Sequence, residues 1–270
     1  MNFKNIFSRK NRILLGELVR TDFKIRYQAS FLGYVWSILN PLLLFAVLYL
    51  VFANFLGVGR DIEHFPVYLL LGVVLWSFFT ETTNGGLKSI VSRASLIRKI
   101  SLPKYIIVIS GTVSSLINLL INLAVVVVFM VFNGVEFTWQ ALLIFPFIIQ
   151  LYILALGISF LLSALNVKMR DIGYVWEILL RAGFYATPIL YPLSMVVERS
   201  EIAAQMLVIN PVAQVIQDIR YFVITEDSLT AWQIFDGDYR VFISYAVVLI
   251  ILFAGAFYFK KTSGNFAENV

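Results

Sequence analysis

Glu177 and Arg181 stand four residues apart inside an apolar stretch, acid before base, the favourable order for an ion pair on one helix face. Charges in hydrocarbon cost a few kcal/mol or more each, so such a pair either satisfies itself or faces water inside a bundle. Both readings stand on the residues alone: a structural pair that orients its helix, or part of a wet pathway. Asn118 and Asn122 share another helical face, which interhelical hydrogen bonding accounts for; Glu81 is ambiguous. Tyr174, Trp176, Phe184, Tyr185 and Tyr191 crowd the stretch that holds the ion pair, and Tyr34 and Trp36 open an earlier apolar run. Aromatic rings stack on the apolar faces of sugars, so these positions suit a glycan conduit as well as an interfacial aromatic belt.

Other chemistries have no residues to run on. There is no Cys, and the one His, His64, reads as an ordinary surface residue, which removes disulfides, thiolate nucleophiles and the usual zinc or haem ligand sets. The nearest approach to a nucleotide loop, Gly85-Gly86-Leu87-Lys88, lacks both the spacing and the hydroxyl. The chain is expected to be no enzyme, and to hold no cofactor or metal of its own.

Basic residues gather in two segments. Over 9–26, Leu14, Leu15, Leu18, Val19 and Phe23 fall on one half of a helical wheel, while Arg9, Lys10, Arg12, Arg20 and Lys24 fall on the other; such a helix lies in a membrane interface. Over 88–100, Lys88, Arg93, Arg98 and Lys99 surround a short amphipathic stretch in which Ile90, Val91 and Ile97 cluster, and Pro103 begins the next element.

These groups need a frame, and the composition names it. With 60% hydrophobic and 14% charged residues and a mean hydropathy of +0.86, the chain falls outside ordinary globular composition. Runs near the ~20 residues that cross a bilayer occur at 34–56, 66–86, 105–132, 139–165, 172–191 and 241–259. The fold class is therefore all-α: a polytopic membrane protein with six transmembrane helices and an N-terminal amphipathic interface helix. An even number of spans puts both termini on one side. Sixteen Lys and Arg then share the face carrying the termini and the 88–104 loop, against four (Arg60, Arg199, Arg220, Arg240) on the other, and the positive-inside rule makes the richer face cytoplasmic. The net charge of +5 is thus a topology signal, not a nucleic-acid signal. The 191–240 connection holds Leu193–Ile209 and Pro211–Val223, apolar but short, joined at Asn210-Pro211. They read as two short re-entrant helices on the outer side, forming a vestibule or gate. The organisation is a 1–33 interface helix and gate loop followed by a 34–270 transmembrane domain.

The order of motifs resembles one family. Arg20-x-Asp22-x-Lys24-x-Arg26-Tyr27, Ser30-x-Leu32-Gly33, Trp36 and Asn40-Pro41 closely resemble the opening signature of the membrane subunit of ABC exporters for bacterial surface polysaccharides, the O-antigen and teichoic acid exporters. Arg98-Lys99 with Pro103, Arg170-Asp171-Ile172, Phe184 with Pro188-Ile189 and Tyr191-Pro192, and Asn210-Pro211 with Arg220 continue the match along the chain. The resemblance implies a homodimer in the bacterial cytoplasmic membrane, working with two copies of a separate ATPase that carries the ATP and Mg. It implies that the interface helix and the 88–100 coupling helix, with Lys88, Arg93, Arg98 and Lys99, meet that ATPase. It also implies that Arg20, Lys24, Arg26, Tyr27, Tyr34 and Trp36 serve the head group and lateral gate of an undecaprenyl-pyrophosphate-linked polymer. Tyr174, Glu177, Arg181, Phe184, Tyr185 and Tyr191 then belong to the pathway. Capsule or other ABC-type export and, from a different class, an ion-coupled secondary transporter are the alternatives; the latter calls for inverted repeats and midplane carboxylates, and spans 1–3 and 4–6 show no repeat.

Overall fold

The computed structural model describes residues 8–27, 35–59, 62–99 and 102–266, with residues 23 and 25–27 described by backbone only. Among them there is no strand; the chain is an all-α bundle. Helix α1 (Arg9–Tyr27) precedes α2 (Val35–Tyr49), which runs on as a π-helical turn, Leu50–Phe55. Helix α3 (Phe65–Ser89) is followed by a 3-10 turn, Val91–Arg93, and the short α4 (Ala94–Lys99). Two long helices come next, α5 (Lys104–Phe132) and α6 (Ile144–Lys168), then α7 (Ile172–Ala186). Four pieces, α8 (Leu193–Val197), α9 (Glu201–Ile209), α10 (Pro211–Val223) and α11 (Ala231–Ile234), precede the last long helix, α12 (Phe242–Thr262).

Helix α3 is the pillar. It is the least apolar of the spanning helices, yet 72% of its most apolar window is buried, against 6% for the window in Val35–Phe55. A helix surrounded by others needs no uniformly greasy surface, whereas one facing lipid does. Polar residues can therefore be placed on α3 and remain inside the protein. Helices α6 and α12 pack backbone to backbone: a side chain at Gly255 would collide with the Gly157 carbonyl, the close approach that small residues permit in membranes.

Among the described residues, five helices are long and apolar enough to cross a bilayer, or six if the bent pair Glu201–Ile209 and Pro211–Val223 counts as one span, and the fifth expected span is not one of the five. Residues 172–191 are helical only over Ile172–Ala186, fifteen residues or roughly 22 Å of rise, short of the ~30 Å hydrocarbon core. Thr187, which precedes Pro188, adopts extended backbone, because a residue before proline is pushed out of the helical region. The expected two helices at 193–223 are three. Ser200 interrupts the first, its Oγ accepting from the Ala203 N–H at 3.3 Å to cap a new helix. Asn210 caps α10 as its spacing suggests, with Oδ1 accepting from the Val212 N–H at 3.0 Å and Pro211 in the first turn. There α9 and α10 meet at a bend of 101°. The expected coupling helix also contracts: α3 continues through Lys88 to Ser89, leaving only Val91–Lys99 between the spans.

Candidate functional site

A cavity of about 800 Å3 lies among α2, α3, α5 and α7. Each helix lends it one face, by periodicity. On α3, Ser77, Thr80, Glu81 and Asn84 line it, a spacing of three, four and seven from the first. On α5 the lining includes Asn118 and Asn122, and on α2 it includes Trp36, Ser37 and Asn40. On α7, Glu177, Arg181, Phe184 and Tyr185 form the fourth wall. The same 3.6-residue repeat that buries one face of each helix brings their polar stripes to one place.

The walls are tied together by bonds among themselves. Asn118 Nδ2 donates to Glu81 Oε2 at 2.6 Å, joining α5 to α3. Asn122 Nδ2 turns back to the Asn118 carbonyl at 2.9 Å, so only one of the two asparagines makes the expected interhelical bond. Arg181 donates to Glu177 on the same helix, with both side chains mostly exposed. The pair is thus self-satisfied, and both residues line the cavity. Helix α7 is held against α3 by Trp176, whose Nε1 donates to Thr83 Oγ1 at 3.2 Å, and by Trp76 edge-on to Phe184. Thr80 Oγ1 and Asn118 Oδ1 are buried without a hydrogen-bond partner, an arrangement that costs about 1–3 kcal/mol per group.

Residues 14–223 match the family model for the ABC-2 type transporter. The chain is 30% identical over 266 residues to the O-antigen export system permease protein RfbA of Myxococcus xanthus, covering 96% of each chain. It is 29% identical over 256 residues, 94% of each chain, to a protein of the same name from Klebsiella pneumoniae. The chain belongs to the ABC-2 type transporter family. It is a multi-pass membrane protein, and membership of an ABC transporter family implies a partner ATPase subunit.

In this ABC-2 chain the expected pathway residues divide. Glu177, Arg181, Phe184 and Tyr185 line the cavity, and so does Trp36, for which the family resemblance implies a lateral gate. Tyr174 is 73% exposed and outside the lining. Tyr191 instead closes the end of α7, its hydroxyl donating to the carbonyls of Tyr185 and Ala186. Arg20 and Lys24 are exposed on α1, with Arg20 3.8 Å from Glu17. The side chains of Arg26 and Tyr27, and all of Tyr34, lie outside the described residues.

Among the coupling cations, Lys88, Arg98 and Lys99 are exposed, but Arg93 turns inward. It pairs with Asp22 of α1 and donates to Ser110 Oγ of α5 at 3.1 Å; burial pushes its guanidinium pKa below the usual value, and the ion pair favours the charged form. Asn11 of α1 adds a bond to Tyr105 Oη at 3.2 Å. The interface helix is therefore clamped to the connector, with Leu14, Leu15, Leu18 and Val19 half-buried and Arg9, Lys10 and Arg12 exposed, as its wheel requires.

Arg220 is the larger surprise. Counted from sequence among the cations of the outer face, it is fully buried. Its guanidinium donates to the carbonyls of Tyr68 (3.1 Å), Pro188 (2.6 Å) and Ile189 (2.8 Å) and lies 3.5 Å over the Tyr68 ring. Gly72 makes the room, since a side chain there would collide with it. The irregular backbone after α7 supplies carbonyls that no helix satisfies, and a planar five-donor group fits them. His64 is likewise no plain surface residue: it precedes α3 at φ 57°, 3.5 Å from Glu63 with only 18% of its side chain exposed.

Proposed function

We propose that this chain is the transmembrane subunit of an ATP-driven exporter of lipid-linked O-antigen polysaccharide. The observation that carries the reading is the cavity, in which polar stripes from α2, α3 and α5 face Glu177, Arg181, Phe184 and Tyr185 of α7. Hydroxyls of a sugar chain find donors and acceptors there, and its apolar faces find Trp36 and Trp76. A sealed structural core would instead be packed with aliphatic side chains. The likeness to two O-antigen export permeases over nearly the whole chain supports the same substrate class.

Two copies of the chain, with two copies of a cytoplasmic ATPase, form the working transporter, and both termini lie in the cytoplasm. The exposed apolar side of α7, Val175, Ile178 and Leu179, suits contact with a second copy or with lipid. The exposed Arg98 and Lys99 on α4, with Lys88, face the ATPase. Arg20, Lys24 and Arg26 meet the pyrophosphate of the undecaprenyl carrier, since guanidinium forks match its oxygens.

Deleting the gene in its own host tests the reading. Surface polysaccharide is lost and lipid-linked polymer accumulates on the inner side of the cytoplasmic membrane, and a plasmid copy reverses both. Unchanged surface polymer in the deletion strain overturns it.

A further inference from the structure

A second pocket, of about 260 Å3, shares no lining residue with the larger cavity. It lies where the 57–62 turn, the start of α8 and the 227–229 turn meet beside Tyr68 of α3. In the export reading this is the outer side, next to the Arg220 clamp, whose guanidinium covers the Tyr68 ring. Part of the wall is bare backbone: Gly57 and Gly59 stand at φ 68° and 84°, a conformation that glycine adopts freely. Glu198 and Asp227 stand in the wall, and no described residue bonds to either carboxylate. Ser228, in the same wall, is 6% exposed, and its Oγ has no hydrogen-bond partner among the described residues. A buried hydroxyl so placed is costly until a ligand completes it.

Resting on the export reading above, we propose that this pocket is a subsite for one neutral pyranose unit of the polymer on its way out. Sugar hydroxyls are donors and acceptors at once: they donate to the Glu198 and Asp227 carboxylates and bond with the Ser228 Oγ. Val58, Ile62, Met195 and Leu229 of the same wall suit the C–H faces of the ring. An apolar lining with a few placed polar groups is how small ligands are held and oriented. A bare divalent cation would instead need oxygen ligands on every side. The volume admits a single ring rather than a chain segment, so the subsite takes one unit at a time.

The test uses the purified transporter, this chain with its ATPase, in lipid nanodiscs. The chain has no native Cys, so Ser194→Cys, at an exposed lining position, reports the pocket. Glu201→Cys, exposed but outside the lining, is the control. The probes are the methyl pyranosides of glucose, galactose, mannose and rhamnose, with sorbitol, acyclic and rich in hydroxyls, for comparison. At least one pyranoside is expected to slow maleimide labelling of Ser194→Cys about threefold, the protection given by a ligand at twice its dissociation constant, without slowing the control. Glu198→Gln, Asp227→Asn and Ser228→Ala each weaken that protection; no described residue bonds to the groups they change, so the fold survives them. Protection by none of the four pyranosides, equal protection by sorbitol, protection of the control as well, or protection undiminished in all three variants overturns the subsite. The export reading then still stands, because the deletion strain decides it.

Discussion

Arg220 shows how much one side chain decides in a membrane protein. Its three carbonyl acceptors come from α3 and from the irregular Pro188-Ile189 backbone, so it fastens α10 to the end of α7. Gln217 Nε2 reaches the same Pro188 carbonyl at 3.2 Å but cannot cover the others. Arg220→Lys retains the charge and loses the fork, leaving buried carbonyls unsatisfied at a cost on the order of 3 kcal/mol. The expected outcome is a thermal unfolding midpoint several degrees below that of the wild type in detergent, with Arg220→Leu lower still. A Lys variant as stable as the wild type would show that the fork is dispensable.

At the scale of an element, α7 is the most informative helix. Positions 177, 181, 184 and 185 line the cavity while Ile178 and Leu179 point away from it. The chain has no Cys, so single Cys substitutions can be read without background. Cysteines at 177, 181 and 184 are expected to react with a charged, water-soluble thiol reagent at least about tenfold faster than those at 178 and 179, because the reagent needs a wet path and ionised thiols. Tyr174→Cys and Tyr191→Cys, placed by sequence in the pathway, are expected to behave like the outer positions. Equal rates around the helix would remove α7 from the cavity wall. Only part of this helix was legible. The i, i+4 ion pair and the stripe follow from a period of 3.6 residues, but where the helix stops follows from Thr187 preceding Pro188 and from Tyr191 bonding back to Tyr185 and Ala186.

For the whole molecule, the two basic segments have different jobs. Arg93 is a strut, buried against Asp22 and Ser110, whereas Arg98 and Lys99 are free of the bundle surface and exposed. Reversing Arg98 and Lys99 to Glu is expected to leave the subunit as stable as the wild type while lowering export several-fold and leaving ATP hydrolysis uncoupled from it. Arg93→Asp is expected to release α1 and lower stability by about 3–5 kcal/mol, as breaking a mostly buried ion pair does, and Asp22→Arg in the same chain is expected to restore part of the loss. Export unaffected by Arg98→Glu with Lys99→Glu would dismiss α4 as a coupling element; no rescue by the swap would dismiss the strut.

The sequence by itself determined that the chain lives in a bilayer, where its long helices run, which faces of α1, α5 and α7 carry polar residues, and that Asn210-Pro211 starts a helix. All of these are local: composition, a helical period and a cap each act within a few residues along the chain. Tertiary structure decided the rest. Ser77, Glu81 and Asn118 became cavity walls only when α2, α3, α5 and α7 were set around one space, and Arg93 became a strut only because α1 lies across the start of α5. Arg220 became a buried clamp because irregular backbone from elsewhere in the chain brought it unsatisfied carbonyls. A charged residue in a short apolar helix has the same local pattern whether it meets water or a ring of carbonyls. What separates the two is the position of partners 31, 32 and 152 residues away in sequence, which no local periodicity encodes.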